Sequence, residues 1–92
     1  MQKTEICRKH ERMNGQELHT FVYYLLTDTI SCGEYTFSCY GVGTEIPETG
    51  EGCFVRCITT DESRAAHLVD LMATELVTPG ALQDALGMTN VG

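Results

Sequence analysis

The chain lacks lysine altogether after Lys9, and beyond residue 15 its only cations are Arg56 and Arg64, set against eleven acids. An acidic body of that kind repels phosphate backbones, so nucleic-acid binding by the folded part is excluded as a working idea. Long apolar runs are missing too. The longest uncharged stretches, such as Leu18 to Thr27, are about half the length a membrane helix needs. No membrane partner is expected. The opening residues, MQKTEICRKHERMNG, have neither an apolar centre nor a cleavage pattern, so a secretory leader is not expected and the cytoplasm is the default location. Close cysteine pairs of the C-x-x-C type are also absent, which removes the commonest zinc framework. Gly41-Val42-Gly43 lacks the third glycine and the following helix of a dinucleotide loop. Glu45, Glu48 and Glu51 lack the spacing of a calcium loop. No catalytic signature, cofactor motif or metal-ligand set stands out.

What remains is ordinary globular material of 92 residues, 42% hydrophobic and 21% charged, enough for one small domain. Five cysteines, an odd number without repeating spacing, argue against a complete disulfide framework. The expectation is that they are small buried hydrophobes, with Cys32 the exposed exception because it sits in a turn. Cys53 and Cys57 are too far apart along one strand to clamp an ion.

The pattern of residues divides the chain into a basic leader at 1–15, a single domain at 16–87 and a frayed tail at 88–92. The leader carries Lys3, Arg8, Lys9 and Arg12 against Glu5 and Glu11 and reads as an edge strand, around Thr4 to Lys9, or a tail. Asn14-Gly15 is a tight-turn signal. Leu18 to Asp28 is rich in the β-branched and aromatic residues of strands. Tyr35 to Ile46 alternates Tyr35, Phe37 and Cys39 with Thr36 and Ser38, and Cys53 to Thr59 alternates likewise. Ser31-Cys32-Gly33 and Pro47 to Gly52 supply the turns, and glycine within the second run marks a bulge or a close backbone approach.

Helices follow. Thr59 with Glu62 fits a capping box, and Ala65, Leu68, Val69, Met72 and Leu76 form one apolar face ended by Pro79. Thr78 caps a second helix with Pro79 at its first position, Leu82, Ala85 and Leu86 on its apolar side, and Gly87 at its stop. The fold class is therefore α+β: an antiparallel meander of three to four strands, then two short helices packed on one face.

That architecture has a functional corollary. Two short helices cover one side of the sheet, yet Leu18 to Leu26 is apolar on both, with Val22, Tyr24 and Leu26 opposed to Phe21, Tyr23 and Leu25. A free protomer would bare an aromatic face, and such faces mark interaction surfaces. The expected contact residues are Phe21, Tyr23, Tyr24 and Tyr40, with a second copy of the chain or another protein as partner. The leading functional expectation is thus a non-enzymatic interaction or regulatory module. The alternative class is a small thiol or metal sensor, or a small enzyme, using cysteine with His19 or His67.

Tyr23-Tyr24-Leu25-Leu26, Tyr40-Gly41-Val42, a helix led by Thr and Asp, and Pro79 followed by Leu82 and Asp84 together resemble a family of small Firmicutes-type bacterial proteins. That family is a domain of unknown function, and the likeness covers roughly residues 20–86. Gly80-Ala81 departs from its more polar helix start, and its acidic finish to the second helix is missing here. The resemblance implies a small intracellular bacterial domain and carries over no catalytic residue.

Overall fold

A computed structural model describes residues 1–12, 17–82 and 84. Four strands, β1 (Gln2–Arg12), β2 (Leu18–Cys32), β3 (Tyr35–Ile46) and β4 (Glu51–Thr59), pair antiparallel in chain order, and α1 (Glu62–Thr74) follows. A second helical segment, α2, covers residues 79–82 and 84. The α+β meander read from the sequence is the observed fold. The Asn14-Gly15 turn, Ala85, Leu86, the Gly87 stop and the tail lie outside the described residues.

β1 pairs with β2 from Gln2 to Arg12, further than the Thr4 to Lys9 span expected. Its poor alternation has a local cause. The register shifts between Glu5 and Cys7, so Ile6 bulges out and the two halves of the strand keep their polar and apolar faces. β2 outruns its expected end and closes on β3 through Gly33-Glu34. Gly33 has φ +61°, the conformation a two-residue hairpin asks of its first turn residue, so Ser31 and Cys32 belong to the strand.

Helix α1 is capped two residues later than the Thr59 capping box predicts. Asp61 is its N-cap and accepts from Arg64 N–H at 3.3 Å, while Thr59 stays in β4 and accepts from Asp61 N–H. The helix also stops well before Pro79. Leu76 takes φ +51°, Leu76 N–H donates to Ala73 O and Val77 N–H to Met72 O, the paired bonds that close a helix usually ended by glycine. Lys9 Nζ, from β1, adds a charged donor to Ala73 O at 2.6 Å, where the helix dipole favours a cation. Thr78 caps α2 as expected, accepting from Ala81 and Leu82 N–H.

The core lies between α1 and the inner face of the sheet. Phe21, Tyr23, Leu25, Val42 and Ile46 meet Ala65, Val69, Met72, Ala73 and Leu82 there. Tyr23 donates from its hydroxyl to Val77 O, and burial pushes that phenol up to about 12.

The outer face corrects the expectation of an open sheet. Val22 and Leu26 point away from α1 and are nonetheless fully buried, both at 0% exposure. The chain covers them with its own long side chains. Lys3 spreads over the Tyr24 and Phe54 rings at 5.0 Å from each centroid, and the Phe54 ring occupies the space a side chain on Gly43 would need. Tyr24 donates to the Glu45 carboxylate, which holds its phenol up at about 12. At one end, β2 outruns β3, and the Glu48 carboxylate takes both the N–H of Thr20, at 3.0 Å, and its hydroxyl, at 2.6 Å.

Those bonds from the Thr20 hydroxyl and N–H lower Glu48 from the usual 4.5 to about 2. A carboxylate held down in the folded state contributes stability above its unfolded value and loses it as pH falls toward the folded one. Urea midpoints measured between pH 5 and 2 are expected to drop across this window, with a shallower drop in Glu48→Gln.

Candidate functional site

Two pairings, both at the end of the sheet remote from Glu48, build the most chemically loaded cluster of the fold. The last β1–β2 pair is Gln2 with Thr27, and the last β3–β4 pair is Tyr40 with Thr59. Residues 28–39 therefore project as a bare two-stranded ribbon. At its root Asp28 faces Cys39 across β2 and β3.

β4 completes the cluster by leaving regular register. Between the pairs Val42–Val55 and Tyr40–Thr59, β3 contributes Gly41 alone while β4 contributes Arg56, Cys57 and Ile58. The surplus chain bulges over Gly41, with Cys57 at φ +52°, a left-handed conformation uncommon for a residue with a side chain. Gly41 permits the approach: a Cβ there would run into Val55 O and stand 2.9 Å from Arg56 Cα, both backbone atoms. This is the close backbone passage expected of a glycine inside that strand.

The excursion delivers two side chains. Arg56 forks onto Asp28, Nε donating to Oδ2 at 3.0 Å and the terminal nitrogen to Oδ1 at 2.5 Å. The N-terminal ammonium lies 3.7 Å from the same carboxylate. Asp28 is only 5% exposed, and hydrogen bonding from Arg56 holds its carboxyl below the usual range. Cys57 meets Cys39, and the two are joined as a disulfide. The expectation of five unpaired thiols is corrected accordingly, because the bulge turns Cys57 toward β3 rather than leaving it in line with Cys53. Cys7 and Cys53 are free and half-buried, and Cys32 is free and exposed, as its position near the turn suggested.

Carboxylate and sulfur atoms of Asp28, Cys39 and Cys57 all lie within 4.8 Å of one another, the one such group among the described residues. Neither histidine considered from the sequence joins it; His67 stands exposed on α1 and His19 is half-buried on β2. Beside the cluster an open groove of about 550 Å³ runs between Ile30, Phe37 and the Ile58 to Thr60 stretch, with both bonded cysteines in its wall.

The four aromatic residues expected at a partner surface are not brought together. Phe21 and Tyr23 lie in the core under α1. Contact through either would require the helix to leave the sheet. Tyr40 packs from the same side, half-buried against that core. Tyr24 is on the outer face, half-buried and tilted against Phe54 at a centroid distance of 5.9 Å. Half of the large exposed apolar residues sit instead on the ribbon and beside it, Ile30, Tyr35, Phe37 and Ile58, while Met1, Ile6, Leu18 and Leu71 are exposed elsewhere. The alternation of Tyr35 and Phe37 was visible in the sequence, but whether their face is covered depends on where β1 and β4 stop. No helix among the described residues is long and apolar enough to cross a membrane.

A family model described as a family of unknown function (DUF6514) matches residues 1–88, which includes β1. No curated protein and no solved structure matches the chain.

Two outcomes test this geometry. Alkylation of air-oxidised, unfolded protein is expected to label Cys7, Cys32 and Cys53 while Cys39 and Cys57 stay linked in one peptide pair; labelling of all five would refute the pairing. Gly41→Ala is expected to lower stability by about 1–3 kcal/mol in urea denaturation, since backbone cannot yield as a flexible side chain does.

Proposed function

The chain belongs to this family of unknown function, and we propose that it acts as a non-enzymatic protein-interaction module that self-associates through the outer face of its projecting ribbon. The observation that carries the reading is the reversal of polarity along the sheet. Over the body of the sheet the apolar core lies on the α1 side, and the outer face is sealed by Lys3, Phe54 and Arg56. On the ribbon, the α1 side carries Thr29, Ser31, Thr36 and Ser38, whereas Ile30 and Phe37 face each other on the outer side. Ile30 is 37% exposed, Phe37 46% and neighbouring Ile58 38%. An isolated two-stranded ribbon is marginal in water, and an apolar face on it calls for a second layer.

The occupant is a second copy. The chain carries a net charge of −7, so copies repel across most of their surfaces. The groove between ribbon and β4 is lined by uncharged residues, and Asp28 and Arg56, beside the bonded cysteines, pair with each other. The same surface holds a projecting ring, Tyr35 at 79% exposure, and a recess, the groove itself. A two-fold axis lets each copy place its ring in the other's recess, the self-complementarity a symmetric dimer needs. A bacterial, cytoplasmic setting is part of the same proposal and rests on the sequence alone.

Sedimentation analysis of the wild-type chain is expected to give a concentration-dependent dimer. Phe37→Glu should weaken it roughly 30-fold or more, the size of a hot-spot loss of about 2 kcal/mol, with an unchanged circular dichroism spectrum. Thr36→Glu, on the ribbon's other face, should leave association near the wild-type value. A wild-type monomer at high micromolar concentration would refute self-association.

A further inference from the structure

We propose that Asp28, Cys39 and Cys57, once the cysteine pair is reduced, form a binding site for a thiophilic divalent cation of the zinc type, and that the disulfide is the metal-free state of that site. The ligand set spans three adjacent strands and is already assembled. Its donor atoms lie within 4.8 Å of one another, and the Cα atoms of Cys39 and Cys57 are 4.9 Å apart. Zinc holds each thiolate at about 2.3 Å, which sets two sulfurs on one ion roughly 3.7 Å apart. Side-chain rotation alone provides that separation, with no change in strand pairing. The two sulfurs and one carboxylate oxygen make three protein ligands of the types zinc takes.

Charge is close to balanced. Two thiolates and one carboxylate carry three negative charges, and a divalent cation, the Arg56 guanidinium and the N-terminal ammonium 3.7 Å from Asp28 supply four positive ones. Arg56 stays where it is, as the outer partner that orients a ligating carboxylate. The fourth coordination position faces the open groove, which both cysteines line, so water or an exchangeable ligand enters from solvent. Such an arrangement departs from a closed structural site, which has four protein ligands.

The chemistry balances. A dithiol reductant transfers two electrons and two protons to the Cys39–Cys57 bond, cleaving it to two thiols while the reductant closes to its own disulfide. Metal uptake then releases both thiol protons as the two sulfur–metal bonds form. In a reducing compartment the dithiol state is the resident one, and disulfides there are mostly transient. In the reverse exchange a small-molecule disulfide is the two-electron oxidant: one ligating electron pair becomes the Cys39–Cys57 bond, the other leaves with the oxidant as it is cleaved to two thiols, and the ion is expelled. The groove is also the recess that the proposed self-association fills, so metal uptake is read at a concentration where the chain is monomeric.

Cobalt(II) is the probe, since thiolate ligation gives a charge-transfer absorption that carboxylate ligation does not. The chain carrying Cys7→Ser, Cys32→Ser and Cys53→Ser is reduced with a phosphine and titrated. The expected result is one equivalent bound with a charge-transfer band, displaced by zinc, and no uptake after oxidation. Asp28→Asn in that background is expected to weaken binding at least tenfold. Absence of the band from the reduced protein, or a band that Asp28→Asn leaves unchanged, overturns the proposal. Should the triple variant not fold, the reduced wild-type chain is compared with Cys57→Ser, an exposed position; loss of one equivalent supports the site, and equal uptake overturns it.

Discussion

The passage of the β4 backbone across Gly41 is the constraint from which the distinctive features of this protein follow. Glycine there lets Val55 and Arg56 come closer than any side chain would allow, and the slack is taken up as a bulge of Arg56, Cys57 and Ile58. Without the bulge, β4 would continue in register, and Arg56 and Cys57 would alternate as in any strand. With it, one residue reaches the buried Asp28 carboxylate, the next reaches Cys39, and the third joins the apolar residues of the ribbon. A bulge re-aims side chains at a small cost in ladder hydrogen bonds. Here it re-aims three in succession.

A four-stranded sheet with a single helical layer should leave one face wet, and most of this one is dry. The reason is a division of labour between side chains of different reach. On the outer face Val22 and Leu26 are fully buried, while Lys3 stands over the Tyr24 and Phe54 rings, Tyr24 donates to Glu45 and Arg56 forks onto Asp28. The cover depends on β1 and β4 flanking β2 and β3. Where those flanking strands end, no side chain is left to extend over the ribbon, and Ile30 and Phe37 are exposed for that reason. Exposure of these two residues is thus a consequence of unequal strand length.

The loaded cluster and the uncovered patch are neighbours because both arise at the same boundary. The Asp28–Arg56 pair closes the covered part of the outer face, and Cys39 and Cys57 form the wall of the groove just beyond it. With Arg56 59% exposed and Asp28 5%, solvent screens the pair and its net stabilisation is modest, so its contribution is to specify one geometry over its alternatives. In this position the pair holds the bulge in one conformation, which sets both the sulfur atoms and Ile58. Chemistry at the cysteines and contact through the ribbon therefore share a single structural support.

Local signals determined the order of elements, the meander and the class of fold. Period-two alternation in β3, the β-rich run of β2, the threefold and fourfold spacing of Ala65, Val69 and Met72, and the Thr78-Pro79 start of α2 are all written in adjacent residues. Even the opposition of Phe21, Tyr23 and Leu25 to Val22, Tyr24 and Leu26 was legible, since alternation follows from strand geometry alone. The sequence did not disclose which of those faces would stay open, nor that Cys57 would turn toward Cys39. Both depend on the relative lengths and register of strands distant in the chain, on a bulge whose extra residues look like any others, and on how far Lys3 and Phe54 extend. Such offsets are set by packing between elements, where no single stretch of residues holds the information, and so the tertiary structure alone decided them.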